Sequence, residues 1–260
     1  MTRDKILKKF PSPAHTPILV SEVTRMSQGR YCVAALDIAT QRMVRPLQSN
    51  SDNWRLGADR SVFHVGNLLD IRRTGERRVI MPHATEDTPV VATPAVLASF
   101  TEDVIYELLL PSAEKSVVAA IGHPLIQNRY LEDGVGPRSL GGVRAKRKHV
   151  EFREDPYGKL RATLHDSDGI VYDLPVTSDW LQHLFSAADA DGEPHFGIKE
   201  ANEWLCVTKP DDLLILRVGL ARPWGGKDND WSPKRCYLQL NGIVCPQDNF
   251  HIFAGPAENS

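Results

Sequence analysis

Two four-residue separators constrain this chain more than any other feature. Asp155-Pro156-Tyr157-Gly158 and Asp166-Ser167-Asp168-Gly169 divide three runs of mixed apolar and polar residues, GVRAKRKHVEFRE, KLRATLHD and GIVYDLPV. Both separators carry turn chemistry. An aspartate side chain accepts hydrogen bonds from backbone N–H groups just ahead of it, and glycine takes positive φ without steric cost. Connections this short join antiparallel strands, because a parallel crossover needs a dozen or more residues. The region therefore reads as an antiparallel meander and not as βαβ units.

The same grammar recurs elsewhere. ILVSEVT (18–24) is followed by a turn at Gly29 and by RYCVAALDI (30–38), and QRMVRPL (41–47) comes so soon after that the two pair as a hairpin. A polar loop (49–60) precedes NLLDIRRTG (67–75), read as another strand. The first helical signal is Thr93-Pro94 as cap and first turn, with Leu97, Phe100, Val104 and Leu108 at helical spacing and Pro111 as the stop. A second, short helix follows a cap at Thr177 or Ser178, with Trp180, Leu181, Leu184, Phe185 and Ala188 on one face. EWLCVTK, DLLILRVGLARPW and KRCYLQLNGIV read as the closing strands.

Short strands with one helix in each half predict a mainly β fold, made of two small OB-like barrels packed together. The glycine-rich stretch 123–142 marks the boundary. The expected organisation is a basic N-terminal tail over 1–16, a first OB-like domain over 17–135 and a second over 136–255. Leu125, Ile126, Tyr130 and Leu131 make the boundary too apolar for a free tether, so the barrels are expected in contact.

Charge names no partner, since 31 basic residues face 33 acidic ones. With 42% apolar residues the chain can bury a core. It lacks a long apolar run and a secretory signal, so no membrane association is expected. The isolated cysteines Cys32, Cys206, Cys236 and Cys245 read as buried thiols in a reducing cytoplasm, with no zinc pairing.

The segment 18–47, with Gly29-Arg30, Cys32-Val33-Ala34 and Val44-Arg45-Pro46, resembles the opening of the dual OB-containing domain family of bacterial proteins. YDLPVTSDW, LRVGLARPW and CYLQLNGIV are similar to later family segments, so the resemblance spans nearly the whole chain. Val20-Ser21-Glu22 and Ala221 depart from the family pattern. The resemblance implies two OB barrels and a binding role, with no established reaction.

Candidate binding residues come from four places. Arg144, Lys146, Arg147 and Lys148 form a basic cluster that attracts phosphate, or else a charged edge strand. Arg72, Arg73, Arg77 and Arg78 form a second cluster. Arg222, and its counterpart Arg45 in the other Arg-Pro strand end, offer forked donors to phosphate, or pair with a carboxylate at the domain junction. Trp224 and Trp231 stack on bases or anchor their loop. Tyr237, Gln239 and Asn241 lie on one face of a half-buried strand, where they contact bases or pack on the other barrel. Asp228-Asn229-Asp230 lacks the spacing of a calcium loop, and no metal or cofactor is expected.

No GxSxG, P-loop or HExxH pattern is present, so the expected role is non-catalytic. The leading expectation is binding of nucleic acid, single-stranded in preference, with protein partners in a larger bacterial defence or processing assembly. The alternatives are a pocket for a nucleotide or other small anion, and a protein scaffold. A continuous positive groove from Arg144–Lys148 to Arg222 favours the first, and a closed pocket at Arg222 favours the second.

Overall fold

The computed structural model describes residues 2–11, 15–55, 61–74, 81–186, 197–208, 211–224 and 233–246. The protein is mainly β with few helices, and its curled sheets are those of OB-like barrels. The first half builds on a six-stranded sheet. It comprises β1 (Pro17–Arg25), β2 (Tyr31–Asp37), β3 (Met43–Leu47), β4 (Asn67–Asp70), β5 (Asp87–Pro89) and β6 (Ala95–Ser99), in the order β5-β3-β2-β1-β4-β6. The expected hairpin is β2–β3, with Ala35 opposite Val44. Asp37 closes its turn by accepting from the N–H groups of Ala39 and Thr40.

The second half holds two sheets. One is the three-stranded meander of β10 (Val150–Glu154), β11 (Leu160–His165) and β12 (Val171–Pro175). Its first turn works as the sequence implies, with Asp155 Oδ1 accepting from Tyr157 and Lys159 and Gly158 at positive φ. The other sheet runs β7-β9-β13-β14-β8, from β7 (Ala113–Glu114), β8 (Tyr130–Glu132), β9 (Leu140–Lys146), β13 (Leu213–Leu220) and β14 (Arg235–Val244).

Several expectations change. The helix assigned from Thr93-Pro94 begins later. Residues 95–99 form β6 on the edge of β4, and α2 (Glu102–Leu109) starts after Thr101. Glu102 and Asp103 sit in its first turn, where acids favour the helix dipole. EWLCVTK is not a strand. The expected second helix is α4 (Asp179–Ser186), and this segment closes the next one, α5 (Ile198–Glu203), and continues as a wider helical turn, Trp204–Thr208, whose Trp204 and Leu205 are buried. Residues 3–9, inside the expected tail, form α1 (Arg3–Lys9), and Ile6 is wholly buried in the first-half core. Of the four free cysteines, Cys236 and Cys245 are buried, but Cys32 is half-buried and Cys206 exposed.

The chain crosses to the second sheet at Ala113, well before the glycine-rich stretch. β7, the short helix α3 (Val117–Ile121) and β8 all belong to the second half. Strand β13 is then enclosed on both faces. Leu214, Leu216, Val218 and Leu220 join the second-half core, whereas Ile215 packs with Leu19, Leu36, Leu108 and Leu109 of the first. Arg217 shares the Ile215 side and is fully buried. Its Nε donates to Glu22 Oε2 at 2.9 Å. Ser21 is an extra residue in β1 relative to β2, and this bulge turns Glu22 toward the second half. Gly142 lies against the Arg217 guanidinium, where any Cβ would collide with Nη1.

Candidate functional site

A second stitch between the halves is made by residues 81–87. The Met81 carbonyl accepts from Gly134 N–H, His83 Nε2 bonds the Leu220 carbonyl at 3.1 Å, and the Thr85 hydroxyl donates to the Pro137 carbonyl. Both Glu86 oxygens accept from Ser139, one from its N–H and one from its hydroxyl. Asp87 then receives two guanidinium groups. Arg45 Nη1 reaches Oδ1 at 2.6 Å, and Arg222 reaches both oxygens at 2.8 and 2.9 Å.

Local structure explains this convergence. Pro46 and Pro223 each follow an arginine and have no N–H to give a ladder; Pro46 stays in register in the parallel β3–β5 pair, whereas Pro223 lies beyond the end of β13. Arg45 sits opposite Asp87 in the parallel β3–β5 pair. Arg222 lies two residues past the end of β13. The strand opposite Gly219 carries a bulge, with Asn241 the extra residue between Leu240 and Gly242. Gly219 makes room for the Asn241 amide, since a Cβ there would overlap Asn241 Nδ2.

The electrostatics follow from burial and neighbours. Burial disfavours ionised Asp87, but Arg45 and Arg222 outweigh it and hold the carboxyl below its usual range. Burial, reinforced by the positive charges of Arg45 and Arg222, pushes His83 down to about 3, so the ring is neutral near pH 7. A carbonyl only accepts, so Nε2 carries the proton.

In front of this network lies a cleft of about 270 Å³ between the halves. Arg25, Arg45 and Arg222 line it, and among the described residues no carboxylate does. Thr24, Asn53, Thr177, Gln239 and Asn241 add hydrogen-bonding groups, and Cys32, Met26 and Leu140 add less polar surface. Arg45 is buried and also bonds Cys32 Sγ and Ser139. Arg25 is exposed, and no side-chain partner is found for it among the described residues. Trp224, 49% exposed, follows Arg222 by two residues, and its backbone pairs with Arg235.

The structure thus brings Arg45, Arg222 and Gln239 to one site, and Trp224 follows two residues after Arg222. Tyr237 lies one step away on β14 and packs on Tyr130 at 5.5 Å. The basic cluster is elsewhere. Lys146 pairs in register with Leu213, at the opposite end of the eight-residue β13 from Leu220, roughly 20–25 Å away at strand spacing. Nor is that cluster a single exposed patch. Arg147 is wholly buried, its guanidinium 4.4 Å from the Trp204 ring, because the short helical turn 147–149 directs it inward. Arg144 is half-buried, and Lys146 and Lys148 are exposed and share Asp211 at 3.1 and 2.8 Å. In the other cluster, Arg73 pairs with Asp37 at 2.6 Å. Arg77, Arg78, Trp231 and Asp228-Asn229-Asp230 lie outside the described residues.

Sequence reading missed Arg25, His83, Asp87, Thr177 and Asn53 as members of the site. The consecutive Glu86-Asp87 pair was the one usable signal, since two acids facing two Arg-Pro strand ends suggest a shared ion cluster. Among the described residues no group of three or more His, Cys, Asp or Glu is placed to hold a metal, and no helix is long and apolar enough to cross a membrane.

No curated protein matches the chain. The family profile of the dual OB-containing domain matches residues 17–243, which takes in both halves and every residue of the cleft. With its two curled-sheet halves and a match over most of its length, the chain belongs to the dual OB-containing domain family.

Proposed function

We propose that the protein is a non-catalytic binder of single-stranded nucleic acid, serving a larger nucleic-acid-processing or defence assembly, and that the cleft between its halves seats one nucleotide of the strand. One observation carries this reading: among the described residues the cleft lining holds three arginines and no carboxylate, and an exposed tryptophan follows one of those arginines by two residues. Guanidinium forks suit phosphate, and an indole face stacks a base of any sequence. Arg45 and Arg222 are oriented by Asp87, which leaves Arg25 as the cation with its charge uncommitted.

A fluorescein-labelled single-stranded 12-mer, titrated by anisotropy over a range of salt, tests it. Arg25→Ala should weaken binding and reduce the salt slope by about one, the loss of one phosphate contact. Trp224→Ala should cost roughly 1–3 kcal/mol of affinity. An absence of binding at low salt, or variants that bind as wild type, would sink the reading.

A second reading is favoured by size and by the separation of the basic cluster from the cleft, which leaves no continuous positive groove to Arg222 among the described residues. At about 270 Å³ the cleft is near the lower bound for small-ligand sites, so it also suits a free nucleotide. Competition by AMP at concentrations where the unlabelled 12-mer does not compete would select that reading.

A further inference from the structure

Gln239 stands on the cleft wall with an unusual freedom for a half-buried amide. The Thr177 hydroxyl has three acceptors in reach: Asn241 Oδ1 at 3.0 Å, Gln239 Oε1 at 3.4 Å and the Leu240 carbonyl at 3.4 Å. A hydroxyl has one proton to give, and the shortest contact takes it. Asn241 is therefore committed to Thr177, and its amide is further held against Gly219. Gln239 keeps both functions. Its Oε1 lacks a donated proton, and no partner is found for its Nε2 among the described residues.

We propose that Gln239 is a base-reading residue, and that the base the cleft prefers is adenine. The inference rests on the reading of the cleft as the seat of a nucleotide. A carboxamide presents a donor and an acceptor side by side, the complement of adenine N6–H and N7, and a bidentate contact of this kind discriminates among bases. The division of labour follows from position. Arg25 is exposed at the end of β1, where it meets the backbone phosphate, which carries no sequence information. Gln239 lies within β14, one register step from the His83 contact at Leu220, on a rigid wall that holds a base edge in one orientation. Asp87, behind the wall, fixes Arg45 and Arg222, so the cleft is shaped before the strand arrives.

Anisotropy titrations with fluorescein-labelled dA12, dC12 and dT12, together with dA12 made from 7-deazaadenine, test this. Wild-type protein should bind dA12 at least about fivefold more tightly than dT12 or dC12. It should lose that advantage on the 7-deaza strand, which has a C–H in place of the N7 acceptor. Gln239→Ala should bring dA12 to the level of dT12 with an unchanged salt slope. Arg25→Ala should instead weaken all strands alike and flatten the slope. Gln239 is half-buried and its hydroxyl neighbour is bonded elsewhere, so the variant keeps its fold, and its melting curve verifies this. Equal wild-type binding of dA12 and dT12, or a preference that survives in Gln239→Ala or on the 7-deaza strand, overturns the base-reading role while leaving single-strand binding intact. Failure of every strand to bind removes both readings together.

Discussion

Arg222 grips Asp87 with two parallel hydrogen bonds, 2.8 and 2.9 Å long, across a sequence separation of 135 residues. The carboxylate is shared with Arg45, so one acid orients two cations at the junction between the halves.

Removing that acid should therefore loosen the junction and not only the cleft. Asp87→Asn leaves two poorly compensated guanidinium groups, one of them buried, and should lower stability by about 3 kcal/mol, as for one broken partner of a buried pair. Arg222→Lys should cost less, since the charge stays and the fork is lost. Urea denaturation at pH 7 gives both values, and an Asp87→Asn variant as stable as wild type would contradict this account.

His83 gives the junction a dependence on pH. Its folded-state value, about 3, lies below the ordinary histidine value near 6.5, so the unfolded chain binds the proton first. The stability owed to the neutral ring is complete above pH 6.5 and falls away as pH drops toward 3. At pH 5 the loss is about 2 kcal/mol, from about 1.4 kcal/mol for each unit below 6.5. His83→Gln keeps an N–H for the Leu220 carbonyl and has no proton to gain. The difference in stability between pH 7 and pH 5 should be smaller in this variant by about that amount.

Arg147 and its neighbours should separate cleanly. Arg147→Glu places an anion where a guanidinium stacks on Trp204 in the core, and should lower the melting temperature by about 6–12 degrees, from roughly 3 kcal/mol lost. Lys146→Glu with Lys148→Glu acts on exposed side chains and should leave melting within a few degrees of wild type. Only the double lysine variant reports on strand binding at the far end of β13, through its salt slope.

Gly142→Ala should displace Arg217 from Glu22. The new methyl overlaps the guanidinium, and the pair has no exposed route of retreat. Destabilisation of about 3–5 kcal/mol is expected, the cost of parting a buried pair. Differential scanning calorimetry should show it, and a wild-type melting temperature would show that the core relaxes instead.

Much of the fold was legible because it is written in local chemistry. The Asp155 turn, the β2–β3 hairpin and the Ser178 cap, whose hydroxyl accepts from Leu181 N–H, use residues a few positions apart. What escaped depends on distant partners. Residues 95–99 are a strand because β4 offers an open edge, not because of their own period. Arg147 reads as surface charge until Trp204 is seen beneath it. The site was half legible for the same reason: Arg45, Arg222 and Gln239 are marked by their strands, whereas Arg25 and His83 acquire meaning from what folds opposite them.

The two-faced burial of β13 also sets a schedule for synthesis. The apolar cluster around Leu19, Leu108 and Leu109 is closed by Ile215 and Val244, both made long after the residues they cover. At ribosomal speeds of 5–20 residues per second, roughly 7 to 27 seconds separate the emergence of Leu109 from that of Val244. Through that interval the nascent protein carries an unfinished apolar face, which is the kind of surface that holding chaperones recognise. A stop codon anywhere before β14 therefore yields a chain whose first half, though fully translated, lacks the residues that complete its core.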